Sequence, residues 1–124
     1  MSVDEPRFLV ARPNLHVWDI ERSAAFYRGI LGFETEAIVG GPPSFALLRR
    51  DGAEIALVQQ DGATPTGCYI YVTDVEQLHE QCVAAGGRVT YPLTMEPWGL
   101  LNFVIEDPDG HQIAIGERKG APEG

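Results

Sequence analysis

Basic residues are scarce in this sequence of 124 residues. It has nine lysines and arginines against eighteen aspartates and glutamates, which gives a formal net charge of −9 at pH 7. Nucleic acids are bound largely through Lys and Arg side chains that displace counterions from the phosphates. We therefore expect no nucleic-acid partner. The acidic balance indicates either solubility or a site that attracts a cationic small molecule.

Cysteines and long apolar runs are also few. Cys68 and Cys82 are the only cysteines, and neither stands in a CxxC or metal-finger spacing, so we expect reduced thiols in the core. No apolar run approaches the ~20 residues that a membrane span needs. Residues 1–5 (MSVDE) have neither the basic cap nor the apolar stretch of a signal peptide. We expect a cytoplasmic protein with no membrane partner.

An internal repeat organises the sequence. Residues 15–21 (LHVWDIE) resemble residues 70–76 (IYVTDVE), because each is a short alternating strand followed by Asp, a β-branched residue and Glu. Asp19 and Asp74 stand where a helix should begin, and each carboxylate could accept from the first backbone N–H groups of that helix. Both halves therefore start with a strand and a capped helix.

Strands complete each half. A turn precedes an apolar strand at residues 54–58, and the turn at residues 107–110 (DPDG) predicts a hairpin formed by residues 101–105 and 112–115. Each half is thus a strand, a helix and about three further strands. We predict one α+β domain over residues 1–124, built from two βαβββ modules at approximately 8–60 and 67–117, with a linker over 60–67 and a flexible C-terminal tail over 118–124.

A doubled βαβββ unit resembles the vicinal oxygen chelate superfamily of glyoxalases, bleomycin resistance proteins and dioxygenases. Residues 12–33 (RPNLHVWDIERSAAFYRGILGF) are similar to its opening signature, and residues 107–111 (DPDGH) to its final hairpin. The resemblance implies that the modules form a curved mixed sheet with a cup. The start at residues 13–15 and the Trp98-Gly99 pair are most similar to the bleomycin resistance proteins, which sequester a drug without altering it.

The resemblance also implies where a metal would bind. Enzymes of this superfamily hold a divalent metal with His, Glu or Gln ligands from one strand position in each quarter of the cup. Counting from the matched motifs places these positions at Arg12, Ala56, Gly67 and Ala114. Arg is permanently positive, and Ala and Gly have no donor atom. We therefore expect no metal, no cofactor and no catalytic residue, which favours a binding protein over an enzyme.

Strand alternation indicates which side chains line the cup, because neighbouring residues of a strand point to opposite faces. The replacement of bulky metal ligands by Ala and Gly should widen the cup and leave aromatic walls that suit a planar ligand. For His16, a hydrogen-bonded role in the core or a dimer is an equal alternative. His79 and His111 are predicted to be solvent-exposed. The predicted contact set is Asn14, His16, Phe45, Tyr69, Tyr71, Trp98 and Asn102.

Metal-independent sequestration of a small aromatic, cationic antibiotic is the leading hypothesis, and the ligand would be of the bleomycin or a related peptide type. Such binding would confer resistance, with Glu34, Glu36 and Glu54 as candidate negative charges. The resemblance further implies a homodimer with two equivalent cups between subunits. One alternative is a glyoxalase-like metal-dependent lyase, or a related enzyme, with a displaced metal site. Another is a non-catalytic partner domain.

Overall fold

Each half of the chain folds into one helix and four strands in the computed structural model, which describes residues 5–120. Helix α1 spans Ile20–Gly29 and helix α2 spans Val75–Ala84. The strands are β1 Asn14–Val17, β2 Glu34–Val39, β3 Phe45–Arg50, β4 Ala53–Gln59, β5 Gly67–Tyr71, β6 Arg88–Met95, β7 Leu100–Glu106 and β8 Gln112–Arg118.

The strands form one sheet in each half. The order is β1-β4-β3-β2 in the first sheet and β5-β8-β7-β6 in the second. The pairs β1–β4 and β5–β8 are parallel and the other pairs are antiparallel. A parallel pair requires a crossover connection, and the helix that follows β1 or β5 begins it. This architecture confirms the predicted α+β fold of tandem βαβββ modules.

The two halves share one apolar core. Leu15 and Val17 of β1 belong to the same buried cluster as Phe103 and Ile105 of β7. Because residues alternate along a strand, each sheet turns one face toward this core and the opposite face away from it. We call the two faces turned away from the core the first and second outer faces, after the half of the chain that forms them.

The two helices begin in different ways. Asp19 caps α1 as predicted, since its carboxylate accepts from the backbone N–H of Arg22 at 2.9 Å. The same prediction for Asp74 was wrong. Asp74 has a left-handed backbone (φ 53°) and makes no side-chain cap bond, whereas an N-cap residue is usually extended. Instead, the Glu117 carboxylate accepts from the N–H of Val75 at 3.2 Å. This bond, together with one from Lys119, lowers the pKa of Glu117.

A buried polar network joins the halves. The Tyr27 hydroxyl donates to Asp107 at 2.8 Å, and burial together with the Asp107 carboxylate raises the Tyr27 pKa. His111 is buried, not solvent-exposed as predicted, because its ring bridges two distant backbone groups. Its Nε2 donates to the His16 carbonyl at 2.7 Å and its Nδ1 accepts from the Thr66 N–H at 2.9 Å. The DPDGH motif therefore fastens the second half to the first.

Two cysteines and a third histidine are also part of the packing. Cys82 is buried and Cys68 half-buried, and both are free thiols. Burial, with a smaller effect of Asp107, raises the pKa of Cys68 to about 11. His79 was predicted to be exposed but is half-buried, with its ring edge-on to Phe103 at a centroid distance of 5.0 Å.

The predicted boundaries need small corrections. The first strand begins at Asn14, inside the first predicted module, and β5 begins at Gly67, where the predicted linker and second module meet. Arg118 is the last residue of β8 and not part of a tail. Residues 121–124 of the predicted tail lie outside the described residues. Neither helix of the described chain has the length and apolarity needed to cross a membrane.

Candidate functional site

The first outer face carries part of the predicted contact set. Asn14 and His16 are exposed on β1, where they alternate with the buried Leu15 and Val17. His16 and Phe45 both pair with Val58 of β4, so the three side chains share a face. The burial pattern of β1 therefore agrees with the predicted alternation, and Asn14, His16 and Phe45 lie on the first outer face.

The second outer face carries Tyr69, Tyr71 and Asn102. Tyr71 pairs with Gly116 of β8, and Gly116 pairs with Asn102 of β7. The rings of Tyr69 and Tyr71 have centroids 4.9 Å apart and are tilted by 45°. The Asn102 Nδ2 donates to the Tyr69 hydroxyl at 2.9 Å. These three side chains form a contiguous aromatic and polar group, which we call the tyrosine site.

Gly116 permits Tyr69 to lie across this sheet. A Cβ atom at position 116 would overlap the Tyr69 hydroxyl and would stand 2.9 Å from its Cζ atom. The space that a side chain at position 116 would take is therefore filled by the Tyr69 ring, which remains 38% exposed.

One polar atom of the tyrosine site has no partner. Asn102 is only 8% exposed, and its Oδ1 atom is buried without a hydrogen bond to the described residues. Buried polar atoms normally have a partner, so Oδ1 is an unsatisfied acceptor beneath the surface of the tyrosine site.

A cleft of about 1070 Å³ lies next to the tyrosine site. Tyr69 and Tyr71 line it, as does Arg12 from the segment before β1. Apolar side chains from both halves form much of its wall, among them Leu31, Phe33, Ile55 and Ile70. A concave surface with apolar walls and a few polar groups is the usual form of a small-molecule site.

The remaining members of the predicted contact set lie elsewhere. Asn14, His16 and Phe45 are on the other sheet, and none of them lines the cleft. Trp98 is 58% exposed in the turn between β6 and β7. Among the described residues of one chain, the structure divides the strand residues of the predicted contact set into two groups on different sheets: Asn14, His16 and Phe45 on the first, and Tyr69, Tyr71 and Asn102 on the second.

The four positions counted as metal corners do not surround one hollow in the chain. Ala56 lies on the first sheet, and Gly67 and Ala114 lie on the second. Only Arg12 lines the cleft. Within residues 5–120 there is also no group of three or more His, Cys, Asp or Glu side chains placed to hold a metal ion. The side chains at these four positions offer no atom that could bind a divalent metal ion.

Arg118 lies beside the tyrosine site and was absent from the predicted contact set. The assignment of residue 118 to a tail hid it, although alternation along β8 after Ala114 and Gly116 puts it on the second outer face. Its guanidinium carbon lies 4.3 Å from the Tyr71 ring centroid. Such a contact contributes roughly 0.5–1 kcal/mol at an exposed position.

Comparison with known proteins adds three findings. The model of the Glyoxalase/Bleomycin resistance protein/Dioxygenase superfamily matches residues 10–115. An uncharacterised protein of Mycobacterium bovis is 34% identical over 56 residues, which are 45% of this chain and 37% of that relative. The chain thus matches well under half the length of this relative.

Two solved structures have the same fold. The bleomycin resistance determinant encoded on transposon Tn5 superposes with a TM-score of 0.80 at 22% identity, covering 91% of this chain and 100% of the other. A bleomycin-binding protein complexed with bleomycin gives 0.77 at 24% identity, covering 90% and 99%.

Proposed function

Because the chain belongs to the glyoxalase/bleomycin resistance protein/dioxygenase superfamily, we propose that it binds and sequesters a small aromatic antibiotic without converting it. The observation that carries this proposal is the tyrosine site, where two adjacent and partly exposed rings belong to residues that line a cleft. Each ring that stacks on a planar ligand contributes ~1 kcal/mol beyond the burial of apolar area. A neighbour of the same fold was solved in complex with bleomycin, which supports this class of ligand.

The prediction that the ligand is cationic loses support from the ion pairs of the first sheet. Arg49 binds Glu36 at 2.9 Å and Glu54 at 3.2 Å. These two carboxylates are therefore partly neutralised and do not form the free acidic surface that a cationic antibiotic would need. The proposal concerns the aromatic part of the ligand.

Calorimetric titration with copper-free and copper-loaded bleomycin tests the proposal. We expect saturable binding, and we expect Tyr71→Ala to weaken it about tenfold, because one stacking surface and its burial are lost. Trp18→Ala is the control, since Trp18 is similarly exposed but does not line the cleft. Absence of binding by either form of bleomycin would defeat the antibiotic form of the proposal.

Two further measurements separate a binding protein from an enzyme. After incubation, mass spectrometry should recover the antibiotic unchanged. Elemental analysis of the purified protein should find no stoichiometric nickel, zinc, manganese or iron, since Ala and Gly offer no donor atom at the counted positions. A converted ligand, or one metal ion per chain, would instead support the glyoxalase-like lyase with a displaced metal site.

We also propose a homodimer, and the segment before β1 supports it. Phe8, Leu9 and Val10 are all exposed in the single chain, which is unfavourable for three consecutive apolar side chains. A second copy would cover them. Light scattering should give twice the mass of one chain, and Phe8→Asp should shift the equilibrium toward monomer. A monomeric wild-type protein at micromolar concentration would refute the dimer.

A cytoplasmic location and the absence of nucleic-acid partners remain proposals. The net charge of −9 opposes binding to phosphate backbones. A gel-shift titration with duplex DNA at low salt should therefore show no complex, and a complex at micromolar protein would contradict this expectation.

A further inference from the structure

Two arginines contact aromatic rings at or near the candidate site. The guanidinium carbon of Arg118 lies 4.3 Å from the Tyr71 centroid, and that of Arg12 lies 5.9 Å from the Phe45 centroid. Arg12 also lines the cleft together with Tyr69 and Tyr71. Arg118 therefore places a positive charge beside Tyr71 in a protein that is strongly acidic as a whole. The lining of the cleft itself carries charges of both signs, Arg12 and Arg50 together with Asp51, Glu54 and Asp74.

Neither Arg118 nor Arg12 has a carboxylate partner within residues 5–120. The neighbouring Glu117 is already engaged by the Val75 N–H and by Lys119. Acidic residues outnumber basic ones by two to one in this sequence, so an unpaired cation is less expected here than an unpaired carboxylate. The basic side chains that do pair are Arg22, Arg49, Arg50, Arg88 and Lys119.

The geometry of Arg118 leaves its donors available. All guanidinium N–H groups lie in one plane and form a fork that matches a carboxylate. A guanidinium placed over the Tyr71 face still presents N–H groups at its edge to a molecule bound beside that ring. No hydrogen bond to a described residue uses them.

We propose that the tyrosine site selects an aromatic ligand that carries an anionic group, a carboxylate or a sulfonate, which accepts hydrogen bonds from Arg118. Arg12 adds a positive charge at the cleft, whose lining also contains Asp51, Glu54 and Asp74. This inference rests on the proposed binding of an aromatic molecule and defines its chemical class. The selection is local, because the net charge of −9 repels anions at long range and salt screens that repulsion.

Three naphthalene probes that differ only in charge test the inference: 2-naphthoate, neutral 2-naphthamide and 2-naphthylmethylammonium. Calorimetry with the full chain at pH 7.5 should give the tightest binding for the carboxylate, at least about fivefold tighter than for the ammonium probe. Arg118→Gln should remove most of this preference and leave 2-naphthamide binding within about twofold. Arg12→Gln should remove a smaller part.

Arg88→Gln is the matched control, because it removes the same charge from a residue that pairs with Glu106 away from the cleft. Equal losses of carboxylate affinity in Arg118→Gln and Arg88→Gln would show a general charge effect and overturn the inference. An ammonium probe that binds as tightly as the carboxylate, with binding still weakened by Tyr71→Ala, would overturn it while leaving the aromatic site intact. If none of the probes binds, the aromatic site fails, and the inference fails with it.

Discussion

Replacing Gly116 by Ala should displace the Tyr69 ring from its place across the second sheet. The added Cβ would overlap the Tyr69 hydroxyl and approach Asn102 Cβ to 3.0 Å. Tyr69 is the flexible partner in this clash, because its ring end is partly exposed and can swing outward, whereas Asn102 is nearly buried. The bond between the Tyr69 hydroxyl and the Asn102 amide should therefore break.

The cost follows from these contacts. A lost hydrogen bond between neutral groups costs about 0.5–1.5 kcal/mol, and overpacking in a closed core costs about 1–3 kcal/mol. Because Tyr69 can relax toward solvent, we expect the lower part of the combined range, about 1.5–2.5 kcal/mol. The Asn102 amide would lose the one described partner of its side chain, and the tilted pair of tyrosine rings would be disrupted.

Urea denaturation measures the stability change. With a slope of about 1–3 kcal/mol/M, typical of small proteins, the unfolding midpoint should fall by roughly 0.5–2.5 M. Ligand binding at the tyrosine site should weaken in parallel. Gly29→Ala is the matched control, because an added Cβ there meets nothing within 4 Å. In the last turn of α1 this change should be neutral or stabilising by up to about 1 kcal/mol.

Repeating the substitution in a Tyr69→Ala protein tests whether the clash with the Tyr69 ring causes the loss of stability. If the clash with Tyr69 is responsible, Gly116→Ala should cost less than about 0.5 kcal/mol when Tyr69 is already Ala, since coupled neighbours are non-additive. Equal costs in both backgrounds would refute the reasoning, as would a Gly116→Ala protein as stable as Gly29→Ala.

Further predictions concern groups away from the tyrosine site. Tyr27→Phe should destabilise the protein by about 1–3 kcal/mol in urea titrations, because the buried Asp107 carboxylate loses a donor. The lowered pKa of Glu117 means that its stabilisation is complete above its unfolded pKa, about 4.5. That stabilisation is lost as the pH falls through the folded value, so the stability difference from Glu117→Gln should shrink in acid. The Cys68 thiol, with a pKa of about 11, should react slowly with a disulfide reagent at pH 8 until the protein unfolds.

Each of these predictions has a control. Tyr91→Phe removes a hydroxyl that contacts Glu96 at the surface and should change stability by less than about 0.5 kcal/mol. Equal effects at Tyr27 and Tyr91 would contradict the importance of the buried network. A Glu117→Gln difference that grows below pH 4, or a native protein whose thiols react as fast as those of the unfolded chain, would contradict the other two.

Local patterns predicted the features that depend on neighbours in sequence. Alternation of side chains separated Asn14 and His16 from Leu15 and Val17, because a strand has a period of two wherever it lies in a fold. The cap at Asp19 was equally predictable, since its bond reaches only three residues ahead. Errors arose where the partner is distant, as for Asp74, whose role is taken by a glutamate from β8.

Contacts between the halves could not be read from the pattern. His111 follows a turn, which is typical of an exposed residue, but its ring bonds to the backbone of Thr66 and His16. Likewise, nothing in the pattern around Gly116 indicated that the Tyr69 ring from another strand fills the space beside it. Short-range rules do not specify which distant side chain enters a gap.

The repeated unit, the alternation of each strand and the lack of metal donors at the counted positions follow from the sequence by itself, because each depends on residue type and short spacing. Only the tertiary structure decided which of these side chains meet. It placed Tyr69, Tyr71 and Asn102 together with Arg118 on one sheet and left Asn14, His16 and Phe45 on the other. The physical reason is that the packing of the two modules against a common core depends on all of their buried side chains at once.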